Sequence, residues 1–259
     1  MSMLKLVSFD LDGTLTESKA PMTSEMGQRL CRLLDKFLVA VISGGSFGQF
    51  EKQFIGFFQC SKEKFCNLFI LPTNGSAMYR FNGDKWVALY AELLTVDERK
   101  RIFDAFRLAF KETAFVPEKK IYGDLIEDRG TQVTFSGLGQ LAPVELKKKW
   151  DPDRSKRMKI KKRLDFYLPD LEIRVNSSSS IDITRKGIDK GYGMTRCLEY
   201  LKLTPSEAIF FGDGLFPGGN DEAVIRTGIK TIAVSGPSEA AAHIDKLLTG
   251  NLFSFVQGF

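Results

Sequence analysis

The sequence predicts an α/β chain: a doubly wound parallel core made from both ends, with an α+β domain inserted in the middle. Leu38 to Ile42 is an unbroken apolar run, as in a strand buried on both faces of a parallel sheet. Strand-type and helix-type segments alternate at the N-terminus, and the alternation returns after Asp189. Between them, short strands follow one another with helices interspersed, which is the α+β pattern. These observations together predict a Rossmann-like core over residues 1–84 and 186–259 and an inserted domain over 85–185.

In order, Leu4 to Phe9 is the first strand. Thr23 can cap a helix that places Met26, Leu30, Leu33, Leu34 and Phe37 on one face. Leu38 to Ile42 ends at Ser43-Gly44-Gly45, a short Phe-rich helix follows, and Leu68 to Leu71 is a further strand. Asn74-Gly75 and Asn82-Gly83 read as hairpin turns, where pairing switches to antiparallel. In the middle, a helix covers Thr95 to Glu112, with Ile102, Phe103, Phe106 and Phe110 as a packing stripe. Strands at Leu125 to Glu127 and Gln132 to Phe135 flank Arg129-Gly130. A charged helix from Asp153 to Phe166 precedes strands at Glu172 to Val175 and Ser180 to Thr184. The core resumes with a helix at Tyr192 to Leu201, a strand at Ala208 to Phe211 and a short helix at Asn220 to Arg226. A strand at Thr231 to Val234 and a helix at Ser238 to Leu248 complete it.

Composition excludes several classes. With 259 residues, 43% hydrophobic and 27% charged, the chain is an ordinary globular one. Its 37 basic against 32 acidic side chains leave a net charge of +5, too small and too scattered for a nucleic-acid partner. The dense basic run Arg154 to Arg163 reads as the solvated face of a helix. No apolar run reaches the roughly 20 residues that span a bilayer, so no membrane partner is expected. The N-terminal apolar segment, interrupted by Asp10, is not expected to act as a signal peptide. Cys31, Cys60, Cys66 and Cys197 form no C-x-x-C pair, and reduced, cytoplasmic thiols are expected. The single histidine, His243, reads as a surface or packing residue, which leaves little material for histidine catalysis or zinc.

The chemistry concentrates at strand ends. Asp10 and Asp12 follow the first strand, with Gly13 and Thr14 next. Two carboxylates a few ångströms apart repel by roughly 4 kcal/mol at an effective dielectric near 20. A hard divalent cation with oxygen ligands offsets that repulsion. A solvated turn would account for Asp12-Gly13 alone, but not for Asp10 on an apolar strand. Ser43 and Gly44 follow the second apolar strand, Lys190 opens a helix, Asp213 follows Phe211-Gly212, and Asn220-Asp221 lies shortly beyond. In an open parallel sheet these ends converge on one crevice. Asp10, Asp12, Asp213 and Asp221, offset by Lys190 and Mg²⁺, suit a phosphate monoester. Ser43 and nearby N–H groups would hold the transferring group, one aspartate would attack phosphorus, and the second would serve as acid and base. Taken singly, a serine-glycine turn, a helix-start lysine and a Gly-Asp-Gly turn are ordinary features; their order along the chain makes the set specific.

On these residues the chain resembles the haloacid dehalogenase-like (HAD) phosphohydrolase superfamily. Asp10-Leu11-Asp12-Gly13-Thr14 matches its first motif, Ser43 its second, Lys190 its third, and Asp213 with Asp221 its fourth. The resemblance implies Asp10 as nucleophile, Asp12 as general acid and base, and Ser43, Gly44 and Lys190 as further catalytic residues. It also implies Mg²⁺ on the side chains of Asp10 and Asp213 and the backbone carbonyl of Asp12. Asp221 would be a further ligand or would support the ligands, and Asn220 would lie behind them. The insert resembles a type IIB cap. Within the superfamily, Pro217-Gly218-Gly219-Asn220-Asp221, Ile126-Glu127-Asp128-Arg129 and Ser180-Ile181-Asp182 are similar to segments of eukaryotic-type phosphomannomutases. That likeness implies Lys19, Arg129, Ser180 and Asp182 as substrate contacts. It departs at Tyr122 and Gln140, which stand where those mutases carry further arginines for a distal phosphate. Neither can make the bidentate pair of an arginine. The expected function is therefore a Mg²⁺-dependent phosphatase acting on a small phosphorylated metabolite such as a sugar phosphate, with phosphomannomutase as the alternative. The partner expected is that small-molecule phosphoester. The sequence leaves oligomeric state open, with a homodimer through the cap as the association considered.

Overall fold

A computed structural model describes residues 3–17, 20–176 and 178–250. The N-terminal part contains β1 (Leu6–Asp10), α1 (Ser24–Leu33), β2 (Leu38–Ile42), α2 (Phe47–Gln53), β3 (Leu68–Leu71), β4 (Ala77–Phe81) and β5 (Trp86–Ala91). The middle contains α3 (Val96–Glu112), β6 (Ile126–Asp128), β7 (Val133–Ser136), α4 (Val144–Trp150), α5 (Ser155–Tyr167), β8 (Leu171–Asn176) and β9 (Ser180–Arg185). The C-terminal part contains α6 (Lys190–Leu201), β10 (Ala208–Gly212), α7 (Glu222–Ile225), β11 (Lys230–Ala233) and α8 (Pro237–Leu248).

These form two compact units, Met1–Ala91 with Asp189–Phe259 and, separately, Glu92–Ile188. The first is built on a seven-stranded sheet of order β11-β10-β1-β2-β3-β4-β5. Its first five strands in that order run parallel; β4 and β5 are antiparallel. β1, β2, β3 and β10 are apolar because both sheet faces are covered. On one face Phe9, Val39, Val41 and Phe211 pack with α1 and α8 residues such as Leu30 and Ile244. On the other Leu6, Ala40, Ile42 and Phe210 pack with Met194, Cys197 and Val224 of α6 and α7. The buried Ser8 hydroxyl donates to the Ile209 carbonyl at 2.7 Å, fastening β1 to β10 at the sheet centre. The His243 ring lies tilted against Phe211, 5.3 Å between centroids, which makes it the packing residue of the two alternatives.

The second unit carries an antiparallel sheet of order β6-β7-β9-β8. Val133, Phe135, Ile181 and Ile183 share a face that packs on Ile102, Phe106, Ile160 and Leu164 of α3 and α5. The alternate residues Thr134, Ser136, Ser180, Asp182 and Thr184 are polar, and strand periodicity puts them on the opposite face.

The structure corrects several expectations. The boundary at 85 cuts off β5, which hydrogen-bonds to β4 and belongs to the core sheet. At the other end the compact unit resumes at Asp189 rather than 186. Asn74-Gly75 is not a two-residue hairpin. Thr73 and Asn74 adopt left-handed φ of 50° and 57° in a short 3₁₀ turn. Helix α4 lay outside the sequence pattern because its Lys-rich stretch buries only Lys147 and Trp150. Cys31 and Cys60 are joined in a disulfide, so only Cys66 and Cys197 are free thiols among the described residues, against the expectation of reduced cysteines. The basic run is not wholly solvated either. Arg157 is buried to 1% exposure and bonds the equally buried Asp151 at 2.8 Å. Its other donors reach the main-chain carbonyls of Asn176 and Asp151. Asp151 in turn accepts from the amides of Lys156 and Arg157, satisfying the first turn of α5.

Removing that arginine strands a buried carboxylate. Arg157→Ala is expected to destabilise the chain by about 3–5 kcal/mol, read as a lowered urea midpoint. A shift below about 1 kcal/mol would mean that Asp151 is solvated.

Candidate active site

The site forms where β1, β2 and β10 end, because parallel strands deliver their C-terminal loops to one edge. Asp10 is the last residue of β1 and is 1% exposed. Lys190 opens α6 on the far side of the sequence and is equally buried. Its ammonium donates to Asp10 Oδ1 and, at 2.6 Å, to Asp221 Oδ1. Asp221 is completely buried, and its Oδ2 accepts from the Gly214 amide at 2.9 Å. The second oxygen of Asp10, also buried, has no hydrogen-bond partner among the described residues.

Glycine lets these acids approach. Gly13 has φ of +89°, and a Cβ there would lie 2.3 Å from Asp213 Oδ2. A Cβ on Gly212 would lie 2.3 Å from Asp221 Oδ2, and one on Gly214 would lie 2.0 Å from Asn220 Oδ1. The Asp213 amide donates to the buried Thr14 hydroxyl at 3.1 Å, tying the β10 loop to the β1 loop. Asp10, Asp213 and Asp221 each offer a carboxylate oxygen within 4.8 Å of the others.

Asp12 points elsewhere. It accepts from the Ser43 hydroxyl at 3.2 Å. The Gly45 amide donates to that same hydroxyl. The loop after β3 props this segment: Asn74 N–H donates to the Ser43 carbonyl at 2.9 Å, and Thr73 N–H to the Gly45 carbonyl at 2.8 Å. The Asn74 side chain lies against Gly44. Sequence reading missed this support, because a left-handed Thr-Asn pair carries no motif; its signal was only the Asn-Gly dipeptide.

The electrostatics follow from burial. Desolvation pushes Asp10 well above the usual carboxylate range, and Asp221 and Asp12 add to this, while Lys190 pulls the other way. Desolvation likewise raises Asp213, reinforced by Asp221 and opposed by Lys190. For Lys190, burial disfavours the charge, but Asp10 and Asp221 outweigh it and raise its pKa above that of a free lysine. Lys190 therefore stays an ammonium at neutral pH. The three clustered carboxylates and one ammonium leave an excess of negative charge. The oxygen-only donor set and the orphaned Asp10 oxygen fit a hard divalent cation such as Mg²⁺.

The other residues expected to bind substrate lie in the second unit. Ser180 and Asp182 stand on β9, opposite Ser136 and Thr134 of β7. Asp182 accepts from Thr134 Oγ1 and Asn176 Nδ2, both at 2.8 Å. Arg129, in the β6–β7 turn, is paired with Glu127 at 2.7 Å. Tyr122 packs partly on the core of this unit, and the Gln140 carbonyl accepts from the buried Lys147 at 2.7 Å. Lys19 lies outside the described residues.

A crevice at the carboxyl edge of a parallel sheet, lined by aspartates and one ammonium, defines a phosphoryl-transfer type of enzyme site. The chain belongs to the haloacid dehalogenase-like hydrolases, whose family model matches residues 7–234. It is 25% identical over 251 residues to a probable phosphomannomutase of Caenorhabditis elegans, covering 94% of this chain and 95% of that protein. It is 28% identical over 252 residues to the phosphomannomutase of Encephalitozoon cuniculi, covering 93% and 92%. In fold it is similar to an IMP-bound, N-terminally truncated IMP-nucleotidase of Plasmodium falciparum, with TM-score 0.63, 15% identity, and 95% and 68% of the chains covered. It is also similar to the C-terminal domain of C. albicans trehalose-6-phosphate phosphatase, with TM-score 0.63, 18% identity, and 96% and 93% covered. No helix among the described residues is long and apolar enough to cross a membrane.

Lys190→Met leaves Asp10 and Asp221 facing each other unneutralised. The folded pKa of Asp10 then rises further above its unfolded value, so the native state holds a proton that the unfolded state has lost. Stability must fall as pH rises through that interval. The stability of Lys190→Met from denaturant unfolding is expected to decline more steeply than the parent's as pH rises above the ordinary carboxylate range, by on the order of 1–3 kcal/mol. Parallel profiles would show that the ammonium does not neutralise this pair.

Proposed function

We propose that the chain is a Mg²⁺-dependent phosphatase that hydrolyses a small phosphorylated metabolite, a sugar phosphate in the first instance, through an aspartyl-phosphate intermediate. One observation carries this: the buried Asp10 oxygen without a hydrogen-bond partner, beside an Asp10–Lys190–Asp221 tie and within reach of Asp213. A carboxylate fixed at one oxygen and free at the other is oriented to act as a nucleophile.

Asp10 and Asp213, with the Asp12 carbonyl and Asp221 as the remaining candidates, would hold the cation. When bound, it supplies positive charge to the phosphoryl oxygens and lowers the repulsion that Asp10 must overcome. The Asp10 carboxylate attacks phosphorus and the ester P–O bond breaks. Asp12, protonated at that stage, gives its proton to the leaving oxygen. As a carboxylate it then takes a proton from water, whose oxygen attacks phosphorus and returns Asp10 and inorganic phosphate. Ser43, near Asp12, and the Gly44 amide supply hydrogen bonds to the phosphoryl group. Lys190 neutralises Asp10 and Asp221 throughout. Arg129, Ser180 and Asp182, with Lys19, are the proposed substrate contacts.

Two considerations favour hydrolysis over mutase chemistry. Tyr122 and Gln140 offer no guanidinium for a second phosphate, and Arg129 is engaged by Glu127. A mutase must retain a bisphosphate between half-reactions; a phosphatase releases its products. The similarity to phosphomannomutases over nearly the whole chain supports the second reading, interconversion of mannose 1- and 6-phosphates.

A panel of phosphate monoesters, assayed for phosphate release with Mg²⁺, tests the reading. Asp10→Asn is expected to cut turnover by at least about 10³-fold without lowering the melting temperature. Retained turnover would refute Asp10 as nucleophile. Interconversion of mannose phosphates without phosphate release would establish the mutase instead. Chelation by EDTA should abolish release, and added Mg²⁺ should restore it; release indifferent to chelation would remove the metal from the scheme.

A further inference from the structure

Two polar ties join the same two segments, one carrying Lys190 and the other Asp221. The buried tie is Lys190 to Asp221 itself, at 2.6 Å. The second lies at the surface: Arg226, immediately after α7, donates to Asp189 Oδ1 at 2.5 Å. Asp189 immediately precedes Lys190 and caps α6, its Oδ1 also accepting from the Tyr192 amide at 2.9 Å. Between these ties the elements are in van der Waals contact through a glycine. A Cβ on Gly191 would lie 2.2 Å from the Ala223 carbonyl oxygen and 3.0 Å from the Arg226 Cζ. On its other side α6 approaches Gly75 through Gly193, where an added Cβ would lie 2.7 Å from the Gly75 Cα. The first turn of α6 is thus set between two backbone surfaces, and Asp189 fixes its rotation.

We infer that Arg226 and Asp189 are positioning residues, which hold the first turn of α6 against α7 so that the Lys190 ammonium bridges Asp10 and Asp221. Neither touches the reacting atoms. Their effect passes through Lys190, whose ammonium is held by its two carboxylates. An exposed ion pair contributes little to global stability. Its leverage comes from location: one partner adjoins the lysine, and the other closes the short helix that begins after Asp221. Small displacements of a charge-bearing group are costly to rate even when the fold is unchanged.

The kinetic arm of the test rests on the proposed phosphatase activity; the spectroscopic arm does not. Arg226→Gln removes the charge. Asp189→Asn weakens the same ion pair while keeping a good helix cap. Each is expected to lower kcat about tenfold with KM within about twofold, and the double variant no further. Arg226→Lys, which restores a cation, should recover most of the loss. In the full-length, metal-free protein, the ¹H–¹⁵N signal of the Lys190 ammonium, assigned by its loss in Lys190→Met, should be sharp because exchange with water is slow. It should broaden in both single variants and sharpen again in Arg226→Lys. An unchanged ammonium signal in Arg226→Gln and Asp189→Asn would overturn the inference, whatever the rates. So would a broadened signal with unaltered kcat, or a fall that Arg226→Lys does not recover. Should the parent release no phosphate from any ester, the proposed function fails while the ammonium signals still decide the positioning role.

Discussion

The buried ammonium of Lys190 is the charge on which the site depends. It lies between Asp10 and Asp221, each almost wholly removed from solvent. Isolated carboxylates in such surroundings would take up protons or drive the loops apart. With the ammonium in place, strand ends from distant parts of the sequence can bring their acids into one small volume. The sheet serves this arrangement. β1 and β10 are neighbours, so residues separated by two hundred positions meet at adjacent strand tips, and the Thr14 and Asp213 loops tie together there.

The remaining acids divide by what they touch. Asp213 and Asp10 approach each other closely enough to share an ion, and Asp221 completes the group. Asp12 turns toward Ser43. Two aspartates one residue apart thus occupy different surroundings, one tied to Lys190 and the other to Ser43. The proposed scheme rests on that division, with one carboxylate as nucleophile and its neighbour as acid and base.

Much of this was legible from residue type. Apolar runs at Leu38–Ile42 and Ala208–Phe211 could only be strands covered on both faces, and they located the tips where Ser43 and Asp213 would fall. The aspartate pair was recognisable because acids on an apolar strand end need a compensating charge; Lys190 and Asp221 were recognisable only through the order of the segments along the chain and the family resemblance that order carries. What escaped was whatever depends on contact rather than type. β5 is apolar but only partly buried along its length, and nothing local distinguishes pairing with β4 from membership of the insert. The support that Thr73 and Asn74 give to Ser43 arises from backbone geometry. Arg157 looked like one of many solvated cations until Asp151 and the Asn176 carbonyl enclosed it. Cys31 and Cys60 have no sequence signature for pairing; their proximity follows from how α1 and the segment beyond α2 pack.

That crosslink has its own thermodynamic meaning. It links residues 29 positions apart, and the chain between them contains β2 and the turn bearing Ser43 and Gly44. The closed ring restricts the unfolded ensemble by about 3–4 kcal/mol of chain entropy on a simple polymer argument. A thiol-rich medium would release that restraint on the unfolded chain. The fraction of molecules with an assembled serine loop is thereby tied to the electron-donating capacity of the surroundings, with no chemistry required at the carboxylates themselves.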